Sequence, residues 1–287
     1  MASVLGFGAS EIGEQGASVR TVERLVGRAL DAGLNLIDTA ACYGASEELL
    51  GRTSADRRKE YYIATKCGHA AGLRLQDWTP ELIEKSIERS LQRLRTDYID
   101  VIQLHSCCEE TLRRGDVIEA LIRAREKGRV RYLGYSGDGR GALYAVECGA
   151  FDTLQVSISI ADQEAIELVL PRAMERDIGV IAKRPIANAA WLSHWPMLAG
   201  YHRPYWKRLR KLGYEFLRFP AAEAVGIALR FTLGVPGVHT AIVGTAKPSR
   251  WEQNAALVAQ GPIPQADYEA IRERWRALAE PDWDGQQ

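Results

Sequence analysis

What most limits the folding of this 287-residue chain is its rhythm. Short apolar runs of β type recur at residues 4–8, 34–38, 61–66, 98–105, 130–136, 153–157, 179–183 and 240–244. Between most of them lie stretches with helical period, at 18–32, 80–94, 116–127, 163–176, 220–233, 265–279 and, more weakly, 139–148. In 80–94, for example, Leu82, Ile83, Ile87, Leu91 and Leu94 line one stripe and Arg, Glu and Lys lie opposite. Strand runs apolar enough to be buried on both faces, alternating with helices, predict a parallel sheet. Such a sheet is either doubly wound and open or closed on itself. The even repeat, roughly 20–35 residues per unit, predicts a (β/α)8 TIM barrel forming one domain over residues 1–287. The early glycine cluster G-F-G-A-S-E lacks the third glycine of a dinucleotide-binding turn, so nothing supports the open sheet.

One segment breaks the rhythm. From 185 to 219 no period is evident, and Trp191, Trp195, Tyr201, Tyr205, Trp206, Tyr214 and Phe216 crowd together after the seventh strand. A loop of that length is usually functional, although a small helical excursion packing its aromatics on the barrel explains the composition as well. The first strand begins almost at the amino terminus, so the N-terminal extension is read as short.

Lys+Arg and Asp+Glu both number 37, giving a formal net charge of zero. That balance removes the electrostatic argument for a nucleic-acid or membrane-surface partner and leaves a small molecule. The most apolar region, 225–238, carries Arg230 and Pro236 and is too short to span a bilayer. The start, M-A-S-V-L-G-F-G, has no basic signal-peptide region. Five cysteines without a disulfide spacing fit a reducing cytoplasm. Oligomeric state is not legible.

In a barrel, chemistry belongs to the carboxyl ends of the strands. The second run delivers Asp38 and then Tyr43 in its loop, the third ends in Lys66, the fourth in His105 and the fifth in Ser136, and the sixth carries Gln155. Asp, Lys and His at three successive strand ends form a chemical set. A phenol is a poor acid near neutral pH, with a pKa of about 10. A nearby ammonium favours the phenolate, and an aspartate keeps that ammonium charged and placed. These terms predict a lowered Tyr43 pKa and a general acid, with His105 bonding a polarised oxygen or relaying a proton. Tyr62 and Lys66 mimic the Y-x-x-x-K pair of helical dehydrogenase sites, but on a strand four residues span about 13 Å. A metal site is not expected: Cys107 and Cys108 are adjacent, and no second histidine has ligand spacing. Cys67, beside a lysine, is read as a thiol with lowered pKa.

With these residues in place, G-L-N-L-I-D-T-A-A-C-Y-G, I-A-T-K-C-G, D-V-I-Q-L-H and R-W-E-Q-N, in that order, resemble the aldo-keto reductase family across nearly the whole chain. The resemblance implies a (β/α)8 barrel using a nicotinamide cofactor without a Rossmann fold, and Asp38, Tyr43, Lys66 and His105 as its catalytic tetrad. It implies reduction of an aldehyde or ketone to the alcohol, with hydride from nicotinamide C4 and Tyr43 as proton donor. Oxidation of a sugar or alcohol by the reverse route is the alternative, as is a cofactor-binding regulatory protein with little turnover. Gln155 and Ser136 match the family's carboxamide contacts, but Gly137 stands where asparagine is usual; Asp38 is a further cofactor-binding residue that the resemblance implies. A-K-R-P replaces the family's stacking tyrosine, which leaves Lys183 or Arg184 to stack on the nicotinamide or contact pyrophosphate. Arg250, Gln253 and Asn254 match the adenosine-phosphate site, where Thr245 keeps a hydroxyl and Gly244 replaces a common lysine, so NADP(H) is favoured, with NAD(H) the alternative.

Overall fold

The computed structural model describes residues 2–193, 200 and 202–286. Eight parallel strands close a barrel in chain order: β1 (Leu5–Gly8), β2 (Leu36–Asp38), β3 (Tyr62–Cys67), β4 (Ile99–His105), β5 (Val130–Ser136), β6 (Thr153–Ser157), β7 (Gly179–Lys183) and β8 (Thr240–Gly244). Closure comes from β8 pairing β1, from Leu5 opposite Ala241 to Gly8 opposite Gly244. Around it in chain order lie α1 (Ser10–Glu14), α2 (Val19–Asp31), α3 (Ser46–Thr53), α4 (Pro80–Leu94), α5 (Glu109–Arg114), α6 (Asp116–Glu126) and α7 (Gly139–Glu147). They continue as α8 (Glu164–Leu168), α9 (Leu170–Glu175), α10 (His202–Leu212), α11 (Ala221–Leu233), α12 (Arg250–Val258) and α13 (Gln265–Leu278).

Local chemistry explains the element ends. Helix α4 starts where the Thr79 side chain accepts from the Leu82 amide at 3.3 Å, with Pro80 at its first turn, where a missing N–H costs nothing. It buries Leu82, Ile83, Ile87 and Leu94, each worth about 1.5–3 kcal/mol on leaving water. The run 163–176 forms two helices rather than one. Pro171 cannot donate within the helix, and the chain bends at Val169 (φ −120°, ψ −44°) between α8 and α9.

Strand alternation divides the core in two. One set of side chains, including Phe7, Ile37, Ile63 and Leu104, packs outward against the helices. The other points into the barrel, where Leu36, Ile181 and Ile242 form a separate apolar plug. Two residues along β2 from Leu36, on the same face, is Asp38. The apolar plug is therefore followed, toward the carboxyl ends, by a polar layer.

The segment after β7 is partly helical, which corrects the expectation of an aperiodic loop. Helix α10 buries Tyr205, Arg208, Leu209 and Leu212. An arginine within the buried stripe hides the period from a hydropathy reading. Tyr205 and Tyr214 are buried against the barrel, as the helical-excursion alternative expects. Trp195 and Tyr201 lie outside the described residues. No helix among the described residues is long and apolar enough to cross a membrane.

Candidate active site

Register brings the strand-end residues together. Asp38 is opposite Ala64, so Lys66 lies one inward-facing step beyond it, and Lys66 is in turn opposite Gln103. The Lys66 ammonium donates to Asp38 Oδ1 at 2.5 Å and to the Thr39 carbonyl at 2.9 Å, with both charged side chains almost wholly buried. The other Asp38 oxygen accepts from the side-chain amides of Gln103 (3.0 Å) and Gln155 (2.7 Å). Ser136 donates to the Gln155 carbonyl oxygen at 3.0 Å, which closes a chain of polar contacts across five strands. Asp38 is thus the centre of the polar layer, and its charge is met from three sides. The sequence reading missed Gln103. The Q-L-H ending placed it two residues before His105 on the same strand face, which was the available signal.

The loop carrying Tyr43 is pinned at several points. The Thr39 and Ser46 hydroxyls bond at 2.8 Å, Ser46 donates to the Ala9 carbonyl at 2.8 Å, and the Ser46 amide donates to the Tyr43 carbonyl at 2.9 Å. A Cβ on Gly13 would fall 2.0 Å from the Tyr43 carbonyl oxygen, so glycine in α1 is what lets the loop fold down. The Tyr43 ring then lies 4.9 Å from the Lys66 ammonium and edge-on to His105 at 5.8 Å. Tyr62, the other tyrosine near Lys66 in sequence, sits at the opposite end of β3 and is exposed.

Electrostatics correct two expectations. Tyr43 stands above its ordinary value, because burial raises it by more than Lys66 lowers it. The lysine is itself raised: burial pulls it down, but Asp38 and Tyr43 outweigh that. The resting pair is therefore a neutral phenol beside a fixed ammonium. His105 is pushed down to about 2 by burial and by Lys66, Lys183, His69 and Arg184, so its ring is neutral at physiological pH. Its Nδ1 lies 3.4 Å from the Cys42 sulfur. Cys67 is also corrected: it is buried under the Gln103 carbonyl, and burial pushes its thiol up rather than down. Among the described residues, no group of three or more His, Cys, Asp or Glu is disposed to hold a metal ion.

On the β5–β8 side the residues are bonded mainly to one another. Asp138, just after β5, accepts from the Ser157 amide (2.6 Å), the Ser157 hydroxyl (3.1 Å) and Lys183 (2.9 Å). Arg184 donates to Ser157 Oγ at 3.0 Å and to the Gln286 carbonyl. Arg208 donates to the Asp284 carbonyl at 2.8 Å, so the carboxyl-terminal segment lies over these strand ends. Neither Asp138 nor this segment was singled out from sequence, because their partners are far away along the chain. Gly137 has a steric reason: a Cβ there would sit 2.3 Å from the Tyr135 hydroxyl, which donates to the Cys107 carbonyl. A cavity of about 650 Å³ opens nearby, lined by Cys108, Tyr135, Asp138, Arg140 and Asp284 but by none of Asp38, Tyr43, Lys66 and His105.

At β8, Gly244 lies beside Gly8, where a Cβ would come within 3.3 Å of the Gly8 carbonyl oxygen. Thr245 accepts from the Lys247 amide at 3.0 Å. Arg250 and Gln253 are exposed at the start of α12, and Asn254 is buried beneath them.

An acid–base cluster at the carboxyl mouth of a closed (β/α)8 barrel marks an enzyme-like site of the kind barrels carry. The aldo/keto reductase family model matches residues 4–276, and the chain belongs to that family. It is 28% identical to L-galactose dehydrogenase of Arabidopsis thaliana, over 97% of this chain and 91% of that protein. It is 27% identical to D-threo-aldose 1-dehydrogenase of a Pseudomonas species, with 89% of each covered. The holo form of an aldo-keto reductase from Bacillus halodurans superposes with a TM-score of 0.84 at 24% identity, covering 98% of this chain and 95% of that one.

Proposed function

We propose that the protein is an NADP(H)-dependent oxidoreductase that interconverts a carbonyl and an alcohol, with Tyr43 exchanging the proton at the substrate oxygen. The observation that carries this reading is the neutral Tyr43 phenol held between the buried Lys66–Asp38 pair and His105. A phenol with a raised pKa keeps its proton until an oxygen that is gaining charge arrives. The Lys66 ammonium then stabilises the phenolate left behind. Neutral His105 orients the same oxygen by hydrogen bonding. Ser136 and Gln155 stand at the strand ends for a carboxamide, Lys183 and Arg184 for a diphosphate, and Thr245, Arg250, Gln253 and Asn254 for an adenosine phosphate. When bound, the nicotinamide supplies or accepts the hydride. Arg250, exposed and always charged, favours a 2′-phosphate and hence NADP(H).

The same residues run in reverse. The names of the two curated relatives, both sugar dehydrogenases, favour oxidation of a sugar lactol as the second reading. In either direction the partner is a small molecule. An absorbance assay at 340 nm, with NADPH and aldehydes or NADP+ and aldoses, tests both readings. Tyr43→Phe is expected to lower turnover by about 10²–10⁴, the usual worth of a general acid, while cofactor binding followed by fluorescence is unchanged. Parent-like turnover in that variant would overturn the assignment.

A further inference from the structure

Beyond His105 the mouth holds a second imidazole. His69, in the loop after β3, stands edge-on to the His105 ring at 5.5 Å, and Tyr43 stands edge-on to the same ring at 5.8 Å. Its Nδ1 is 3.0 Å from Asp77 Oδ2, and the other Asp77 oxygen accepts from the Ala70 amide at 2.8 Å. Trp78 backs the ring at 4.9 Å. The side chain is 40% exposed, so it is not a packing group.

The loop is built to hold that ring. The Trp78 amide donates to the Gly68 carbonyl at 3.0 Å, and Arg89 donates to the carbonyls of Ala71 (2.9 Å) and Ala70 (3.3 Å). Gly68 has φ +121°, and a Cβ there would meet the Trp78 ring at 2.0 Å. Trp78 itself is left-handed at φ +60°, as is Ala71 at +47°. Non-glycine residues hold such conformations only where the surroundings fix them, and such strain clusters at functional sites.

A carboxylate can only accept, so Nδ1–H donates to Asp77 and Nε2 is the ring nitrogen left to meet a ligand. A ring nitrogen one ring contact from the residue that orients the carbonyl oxygen meets a hydroxyl one or two carbons along the substrate. We propose that His69, positioned by Asp77, is a specificity-determining residue that hydrogen-bonds a hydroxyl next to the reacting carbon. The site then selects α-hydroxy aldehydes and aldose lactols over plain aldehydes. This proposal rests on the reading of Tyr43 and His105 as the carbonyl site, and it adds the chemistry of the neighbouring carbon.

Matched substrates test it: glyceraldehyde against propanal with NADPH, for the parent, His69→Ala and Asp77→Asn. The parent is expected to prefer glyceraldehyde. His69→Ala should lose about tenfold in kcat/KM for glyceraldehyde, mostly through KM, the scale of one hydrogen bond to a bound hydroxyl. Propanal kinetics should stay within about twofold. Asp77→Asn, which leaves the imidazole in place but frees its orientation, should show a smaller loss with the same substrate dependence. Equal losses on both aldehydes, or a preference for glyceraldehyde that survives His69→Ala, would overturn the proposal and leave the carbonyl reading standing. A parent that turns over neither aldehyde with either cofactor, though folded, would overturn both.

Discussion

The strand ends β2–β4 and the strand ends β5–β8 face each other across one barrel mouth, and they use buried charge differently. On the first arc Asp38 and Lys66 are 2% and 1% exposed and are met by amides and a carbonyl. The group they serve, the Tyr43 hydroxyl, is left to face the site. On the second arc Asp138, Ser157, Lys183 and Arg184 bond one another and the carboxyl-terminal segment. The first arrangement fixes the Tyr43 phenol, the proposed proton donor. The second pairs Lys183 with a carboxylate and gives Arg184 uncharged acceptors, the Ser157 hydroxyl and the Gln286 carbonyl. Breaking a buried pair should therefore have different consequences on the two arcs.

The largest effect is expected at Lys66. Lys66→Met leaves the Asp38 carboxylate buried with only two amide donors. Losing one partner of a buried pair costs about 3–5 kcal/mol. Turnover should fall by about 10²–10⁴ as well, because the phenolate loses its counter-charge. Urea unfolding and the 340 nm assay measure the two losses. Lys183→Met is the matched change: both Asp138 oxygens keep a donor, the Ser157 amide on one and the hydroxyl on the other, whereas Lys66→Met strips Asp38 Oδ1 of its side-chain donor, so a smaller stability loss is expected. Equal losses in stability and turnover at both positions would erase the distinction between the arcs.

Arg250→Ala probes the outer edge of the second arc. An exposed guanidinium bonding a phosphate is worth a charge-assisted hydrogen bond, about 1.5–3 kcal/mol. NADPH binding should weaken by about 10–100-fold, with NADH binding nearly unchanged. Calorimetric titration with both nucleotides reads this directly, and parallel weakening of both would place Arg250 on the shared diphosphate instead.

The two arcs also differ in how far the sequence revealed them. Strands β5 to β8 are found at the residues their apolar runs predict, and the first four shift by no more than two residues at an end. The Asp38–Lys66 pair was readable because each residue ends a run, and barrel geometry brings consecutive strand ends together. The Asp138–Lys183 pair was not, since Asp138 follows its strand in a loop and its partner is two strands away. The raised state of Tyr43 was not readable either. Charge can be read from residue identity, but burial cannot, and here burial is the larger effect. Helix α10 was hidden because Arg208 occupies a buried position. Gly137 was legible as a departure from the family pattern, but its cause, the Tyr135 hydroxyl, required coordinates.

His105 is where the arcs meet: burial does most to hold it neutral, and the cations that add to it come from both, Lys66 from one, Lys183 and Arg184 from the other. Its ring is pushed down to about 2 from 6.5. The unfolded chain thus binds a proton below pH 6.5 that the folded chain refuses. Its contribution to stability is complete above 6.5 and is lost as pH falls toward 2. The limiting slope is about 1.4 kcal/mol per pH unit, and partial solvent contact of the ring reduces the expected loss between pH 6.5 and 5 to about 1 kcal/mol. Asp162 runs the other way. Its burial pushes it up to about 8, so its contribution is present below the unfolded carboxylate value and falls as pH rises toward 8. The informative quantity is therefore the difference between the parent and His105→Gln in urea midpoints at pH 7 and pH 5. The variant should lose less stability on acidification than the parent. If both lost the same amount, His105 would titrate normally in the folded protein, and the two arcs would not be jointly holding it neutral.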